Sequence, residues 1–287
     1  MSNFLMNLVA FSAKMLPSSV KQAIYRLGPL SRLIRSELNR AAPEGLTKTT
    51  VAAGELAGLQ FFLDLHCEKD YWLGTYEPEL QQSVRKFVKP GSVVYDVGAN
   101  IGYISLLLAN AVGANGQVFA FEALPKNLHR LQENITINNL DQRVIVVPVA
   151  IADKSGLMPF LVGPSGGMGK LEGSAGREGL AYNESIEVLS ISLDDFVYKQ
   201  DHAIPNVIKI DIEGGEVMAL KGMQQLLAES KPVIFMELHG NEAARITWDI
   251  LSSLGYLICR MKPGYPQVQD VDDLDWKAYI VGLPGNG

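Results

Sequence analysis

From residue 92 onward, short apolar runs rich in β-branched residues alternate with stretches whose apolar positions recur at helical spacing. The runs are Val93–Val97, Val118–Phe121, Val144–Pro148, Val207–Ile210 and Val233–Leu238. The helical stretches between and after them are Tyr103–Ala111, Pro125–Asn138, Gly215–Leu227 and Asn241–Leu254. Strands without polar alternation, separated by helices, predict a parallel sheet covered on both faces. The last two runs, Tyr256–Met261 and Ala278–Val281, are joined by a Pro/Gly/Asp loop and no helix. That connection predicts a hairpin, which gives an otherwise parallel sheet an antiparallel strand near its edge. The expected class is therefore α/β, with a mostly parallel sheet and an antiparallel C-terminal hairpin strand.

Two regions break this alternation. Between Asp153 and Phe196, the segments Gly156–Val162 and Ile186–Ser192 read as strands, with Gly163, Gly166, Gly167, Gly169, Gly173, Gly176 and Gly179 between them. So much glycine suits a mobile loop over a site, or a flexible connection with no role. The first 40 residues have apolar positions at helical spacing (Phe4, Leu5, Leu8 and Val9, then Ile24, Leu27, Leu30, Leu33 and Ile34), broken at Pro17 and Pro29. They predict an N-terminal helical extension. Residues 41–90 bridge the two parts, with a strand expected at Leu59–Leu65, an aromatic-rich turn at Asp70–Glu77 and a helix at Pro78–Val88 closed by Pro90-Gly91. The domain expectation is an extension over residues 1–80 and a catalytic domain over residues 81–287.

Charge adds a second division. The 287 residues carry a net charge of −6, which speaks against a general nucleic-acid binder. Residues 1–40, however, hold six bases (Lys14, Lys21, Arg26, Arg32, Arg35, Arg40) against Glu37, a net +5. A basic amphipathic helix there can lie on an anionic membrane surface or simply pack on the domain. At 47% hydrophobic and 20% charged, the chain can bury a core, which excludes a disordered class. Two cysteines far apart, Cys67 and Cys259, form no disulfide framework or thiolate zinc cage. No apolar run reaches the ~18–20 residues of a membrane span, and no basic n-region precedes Phe4–Ala13. The expected location is the cytoplasm, with peripheral contact to the inner face of a membrane as an option.

The chemistry gathers at the ends of the apolar runs. Val93–Val97 contains Asp96 and runs into Gly98-Ala99-Asn100-Ile101-Gly102 before a helix opens at Tyr103. Glycines 98 and 102 let a ligand approach the backbone, and asparagine tolerates a left-handed conformation. Glu122 ends the next run, twenty positions after Gly102, where a carboxylate accepts hydrogen bonds from the two hydroxyls of a ribose. Asp96 and Glu122 on adjacent strand ends suit an adenosine compound with a short charged tail. Tyr103-Ile104 stands where a dinucleotide-binding turn needs its third glycine, which argues against NAD and for S-adenosylmethionine.

A third run ends in Lys209-Ile210-Asp211-Ile212-Glu213-Gly214-Gly215-Glu216 and a fourth in Glu237-Leu238-His239. Ligands of open α/β sheets bind beyond the carboxyl ends of the strands, so these groups are expected to collect beside the first two. His239, or a carboxylate of Asp211 or Glu213, is the natural general base for removing an acceptor proton; Glu216 and Glu237 are acceptor-side candidates. Hard cations prefer carboxylates, so Asp211, Glu213 and Glu237 form a conceivable ligand set. Carboxylate pairs often serve without metal, and the expected site is metal-free.

At these residues the sequence resembles the FkbM family of S-adenosylmethionine-dependent methyltransferases. The resemblance rests on Trp72-Leu73-Gly74-Thr75-Tyr76-Glu77, Asp96–Gly102, Phe121-Glu122-Ala123 with Pro125 and Asn127, and Val149-Ala150-Ile151. It continues through Leu193-Asp194-Asp195-Phe196, Lys209–Glu216 and Glu237-Leu238-His239, spanning about residues 70–240 and leaving out the helical start. It implies a seven-stranded Rossmann-like domain and O-methylation, often of sugar hydroxyls in glycans, glycolipids or natural products. By match, Asp96 and the turn of Gly98, Asn100 and Gly102 hold the methionine part of the cofactor. Glu122 with Ala123 takes the ribose side, and Ala150 neighbours the adenine. Trp72 and Tyr76 would shape the acceptor pocket, although both could equally be core residues. Alternatives are the same fold acting on a natural-product hydroxyl or a protein amine, and a non-enzymatic cofactor-binding module. The expected partner is a small-molecule or glycan acceptor and no nucleic acid.

Overall fold

The computed structural model describes residues 36, 40, 42–163, 168–174, 182, 184–275 and 277–285. The helical extension expected before residue 41 lies, apart from residues 36 and 40, outside the described residues, as does most of the glycine-rich span. Two compact units are present: one ends at Pro78 and takes in Thr136–Asn138, and the other comprises Glu79–Ile135 and Asn139–Gly287.

In the first unit, β1 (Leu46–Thr50) pairs antiparallel with β2 (Gln60–Asp64). The second strand follows from its apolar run. The first, Leu-Thr-Lys-Thr-Thr, has little to mark it except β-branched threonines, which fit a half-exposed strand. Helix α1 (Lys69–Leu73) replaces the turn expected at Asp70–Glu77 and is closed by Gly74 in the left-handed region. Trp72 is buried here, and the Tyr71 and Tyr76 rings meet edge to face at 4.4 Å.

The second unit begins at Glu79, within α2 (Pro78–Phe87), and continues as β3 (Val93–Val97), α3 (Tyr103–Val112), β4 (Gln117–Phe121), α4 (Pro125–Ile137, up to Ile135) and β5 (Val144–Val147). A side sheet follows, made of β6 (Ala150–Ile151), β7 (Gly156–Val162), β8 (Gly169–Leu171) and β9 (Glu184–Ile191) in the order β6-β9-β7-β8. The chain then returns through β10 (Val207–Ile210), α5 (Glu216–Lys221), α6 (Gln224–Glu229), β11 (Val233–His239), α7 (Asn241–Ser253), β12 (Tyr256–Arg260) and β13 (Lys277–Pro284). The main sheet has seven strands in the order β12-β13-β11-β10-β3-β4-β5. The pairs among β11, β10, β3, β4 and β5 are parallel, and β13 runs antiparallel to both β11 and β12. The parallel sheet and its antiparallel C-terminal hairpin thus match the pattern in the sequence. The order reverses between β3 and β10, and a crevice at such a switch point is where open α/β sheets receive ligands.

The core is apolar on both faces of the sheet. Tyr95, Phe119 and Phe121 pack edge to face with Phe196, their ring centroids 5.0–5.6 Å from it. Phe196 is delivered by a π-helical turn, Asp195–Lys199, which no periodicity announced.

The helix expected over Gly215–Leu227 is instead two helices with a break at Gly222-Met223. Tertiary contacts cause the break. The Asp194 amide donates to the Gly222 carbonyl at 2.9 Å, while the Asp194 carboxylate caps α6 by accepting from the amides of Gln225 (3.0 Å) and Leu226 (2.9 Å). A side chain at 222 would put its Cβ 2.1 Å from the Ala152 carbonyl oxygen. Gly222→Ala is therefore expected to lower unfolding stability by ~1–3 kcal/mol, the usual cost of overpacking, measured by urea denaturation; unchanged stability would show that the Ala152 strand end yields freely.

Candidate active site

The site is built on strand ends around the switch point. After β3, Gly98, Asn100 and Gly102 all take positive φ, at 81°, 50° and 94°. Gly98 is doubly required, because its φ is left-handed and a Cβ there would sit 2.0 Å from the Asp211 carbonyl oxygen. The turn is held by hydrogen bonds that the Gly98 and Ala99 amides donate to the Phe121 carbonyl (3.0 and 2.9 Å) and by Asn134, which donates to the Ile101 carbonyl at 2.8 Å.

Beneath the turn lies a buried ion pair. Asp96 is fully enclosed; one oxygen accepts from Ser105 Oγ at 2.6 Å and the other lies 3.2 Å from Lys209 Nζ. Lys209, in the middle of the apolar strand β10, also donates to the Gly98 carbonyl at 2.9 Å. Asp96 therefore faces inward, toward the chain's own cation. A lysine within a buried strand must find a partner, so Lys209 itself was the signal that could have located this pair in the sequence.

Glu122 follows β4 and is almost wholly buried. One of its oxygens accepts from the Asn100 amide at 2.8 Å and the other from the amides of Ala123 (2.9 Å) and Leu124 (2.8 Å). Burial pushes its carboxyl above the ordinary range, while these three amides and the Asn127 side chain pull it the other way. Ala150 lies in the apolar cluster of Leu124, Ala152 and Phe160, with Ala123 packed against it.

The loop after β10 and the end of β11 bring four carboxylates around one imidazole. His239 is buried, and its Nδ1 bonds Glu216 Oε1 at 2.9 Å. Its Nε2 lies 3.2 Å from Glu237 Oε1 and 3.6 Å from Glu213 Oε2, and neither contact has the geometry of a hydrogen bond. Glu216, fully buried, also accepts from the Gly214 amide at 3.0 Å. Glu213 is a non-glycine residue at φ 50°, followed by Gly214 at 104°, so local backbone strain is stored where its carboxylate turns toward His239. Lys277 from β13 reaches Glu237. Asp211, Glu237 and His239 each offer a donor atom, no two of these further apart than 4.8 Å.

Burial pushes the His239 imidazole down, but the Glu216 and Glu237 carboxylates more than reverse this and raise it to about 10. Burial pushes Glu237 up, and His239 and Lys277 outweigh that and hold it at about 2. The surrounding carboxylates thus favour the charged form of the ring.

The structure thus brings Asp96, Gly98, Asn100, Gly102, Glu122 and Ala123 to the ends of β3 and β4, Ala150 to β6, and Asp211, Glu213, Glu216, Glu237 and His239 to the ends of β10 and β11. Trp72 and Tyr76 belong to the first unit. Sequence reasoning left Lys209, Ser105 and Lys277 without roles.

Comparison with known proteins agrees with the class these features define. The methyltransferase FkbM domain matches residues 96–258, and the chain belongs to the FkbM methyltransferase family. A hexuronic acid methyltransferase, AglP, of Haloferax volcanii is 31% identical over 160 residues, 56% of this chain and 61% of that protein. The 31-O-demethyl-FK506 methyltransferase FkbM of Streptomyces tacrolimicus is 24% identical over 258 residues, 81% of this chain and 90% of that protein. The crystal structure of a methyltransferase FkbM from Methylobacillus flagellatus aligns at TM-score 0.42 and 20% identity, covering 76% of this chain and 53% of that one. The chain thus spans about three-fifths of the Haloferax relative and about half of the Methylobacillus protein.

Two outcomes are expected. Asp96→Asn should cost ~3–5 kcal/mol by stranding a buried ammonium, and adding Lys209→Met should recover much of that loss; additive losses in denaturant unfolding would deny the pairing. For the His239 cluster, the stability that Glu237 contributes is complete above about 4.5 and lost as pH falls toward 2. The contribution of His239 is complete below 6.5 and lost as pH rises through about 10. In metal-free buffer the protein should therefore unfold at higher urea at pH 6 than at pH 10, and His239→Gln should shrink that difference.

Proposed function

We propose that this chain is an S-adenosylmethionine-dependent O-methyltransferase acting on a hydroxyl of a sugar, glycan or glycolipid. The observation that carries the reading is the meeting, at the switch point, of the Gly98–Gly102 turn, the Glu122 carboxylate and the acid-rich loop after β10. These residues fit an adenosine compound bearing a sulfonium. Glu122 stands at the strand end where a carboxylate meets ribose hydroxyls, Ala123 and Ala150 offer an apolar neighbour for a base, and the surrounding carboxylates suit a positive charge. S-adenosylmethionine, when bound, supplies an electrophilic methyl group carried on sulfur.

The chain's own groups do the rest. Gly98, Asn100 and Gly102 present backbone to the amino-acid part of the cofactor. Asp96 acts from below, through Lys209, by fixing the Gly98 carbonyl. The acceptor hydroxyl needs its proton removed as the carbon–oxygen bond forms. His239, or a carboxylate of Asp211 or Glu213, is the group for that task; Glu213 is one-fifth exposed. Holding acceptor oxygen and methyl in line is the larger part of the catalysis. The acid-lined pocket supports a hydroxylated acceptor, as does the name of the Haloferax relative, a hexuronic acid methyltransferase. The FK506-methylating relative supports a natural-product hydroxyl as the second reading.

Within this proposal residues 81–287 form the catalytic domain and residues 1–80 an extension. The family motif alone supports Trp72 and Tyr76 as acceptor-facing, and Glu216 and Glu237 enter through His239. The net +5 of residues 1–40 supports contact with an anionic lipid surface.

Glu122→Ala should weaken S-adenosylhomocysteine binding by ~1–3 kcal/mol in a calorimetric titration, the cost of leaving hydroxyls unpaired; unchanged affinity removes Glu122 from the site. Transfer of labelled methyl into a fractionated extract, with Glu122→Ala as the control, tests the reaction itself. Label in glycolipid or free sugar supports the proposal, label in protein replaces it with amine methylation, and no label above the control leaves a cofactor-binding module.

A further inference from the structure

We propose that Asp211, Glu237 and His239 form a binding site for a divalent cation of the manganese type at the C-terminal ends of β10 and β11. The three donor atoms come from two adjacent strand ends and lie within 4.8 Å of one another. Ligands on opposite sides of a metal with bonds of ~2.1 Å stand about 4.2 Å apart, so shifts of a few tenths of an ångström per side chain close the shell.

Two observations separate this group from an ordinary acidic cluster. His239 is 1% exposed, yet its Nε2, 3.2 Å from Glu237 Oε1 and 3.6 Å from Glu213 Oε2, makes no hydrogen bond to either, while Glu237 Oε1 has Lys277 as an ion-pair partner. A buried ring nitrogen aimed at carboxylates and left without a hydrogen bond is costly unless a ligand fills the centre between them. Behind the ring, Nδ1 meets the fully buried Glu216 carboxylate at 2.9 Å, and Glu216 is itself held by the Gly214 amide. Metal-ligating histidines nearly always carry such a partner on their second nitrogen, which fixes the tautomer and turns the other lone pair toward the ion.

The donor set points the same way. Glu213, Glu216 and Glu237 each lie within ion-pair distance of the one imidazole, and Asp211 offers an oxygen to the same group. A sulfonium has no use for an imidazole nitrogen; a metal binds both kinds of donor. Two carboxylates and one imidazole are hard and borderline donors together, which favours Mn²⁺ over Mg²⁺ or Ca²⁺. Three protein donors leave positions open for water or for hydroxyl oxygens. On the methyltransferase reading, which this last step rests on, an acceptor oxygen bound there would lose its proton more readily. Lys277 competes for the same carboxylate, so Lys277→Met should tighten the site.

The test uses the full chain, stripped with chelator and without cofactor or acceptor, titrated with Mn²⁺ while the paramagnetic resonance signal of the free ion is followed. The expected result is uptake saturating at one ion per chain, with nitrogen modulation from an imidazole in the spin-echo spectrum. Replacing His66, His129 and His202 together by glutamine should leave that modulation intact, since none of the three belongs to the group. His239→Gln should abolish it and weaken uptake about tenfold or more, and Glu216→Gln, which removes only the charge behind the ring, should weaken it about 10–100-fold. No uptake at millimolar Mn²⁺, bound ion without nitrogen modulation, or modulation lost in the triple variant overturns the site. None of these readouts involves methyl transfer, so they cannot be confused with failure of the proposed reaction.

Discussion

Lys209 Nζ sits inside the sheet, 3.2 Å from the Asp96 carboxylate and 2.9 Å from the Gly98 carbonyl, with almost no exposure to water. An ammonium there is tolerable only while that carboxylate remains charged and in place, because a stranded buried charge costs several kcal/mol. The pair therefore fixes three things together: the lateral fit of β10 against β3, the exit direction of the Gly98–Gly102 turn, and the closeness of Gly98 to the Asp211 carbonyl. All the other candidate groups are placed relative to that crossing. Glu122 grips the same turn from β4 through the Asn100 amide, and Asp211 begins the loop that carries Glu213 and Glu216.

The site uses two kinds of acid. Asp96 and Glu216 face inward and work on other residues, one through Lys209 and the other through His239. Glu122 binds the amides of Asn100, Ala123 and Leu124, and Asp211 and Glu213 are half-buried in the loop after β10. Glycine-permitted or strained backbone at 98, 213 and 214 marks the places where the chain is bent at the strand ends. Membership of the FkbM family accounts for the order of these motifs along the chain. The geometry adds that two of these acids, Asp96 and Glu216, are bonded to other side chains inside the protein.

How much was legible in the sequence depended on the range of the interaction. The strand at Val93–Val97 and that at Val207–Ile210 have in the structure the bounds their runs indicate, because a short run rich in β-branched residues and bounded by turn residues is a local signal, even with one charge in each. The helix expected from Gly215 to Leu227 failed for the opposite reason. Its periodicity was sound, but Asp194, some thirty positions earlier, caps the second half and Ala152 leaves no room at Gly222. The strand at Leu46–Thr50 was missed because threonine and lysine carry no apolar alternation.

The sequence by itself determined the order of strands and helices, the parallel sheet with its antiparallel end, and the delivery of Asp96, Glu122, Asp211 and His239 to strand ends. Those features follow from periodicity and turn residues, which act within a few positions. Only the tertiary structure decided what each charge faces: Lys209 against Asp96, Glu216 behind His239 and Lys277 on Glu237. Such pairings join residues 23 to 113 positions apart in the sequence. No local pattern encodes them, because a buried charge takes whichever partner the packed sheet brings within reach, and that choice settles which acids remain for chemistry.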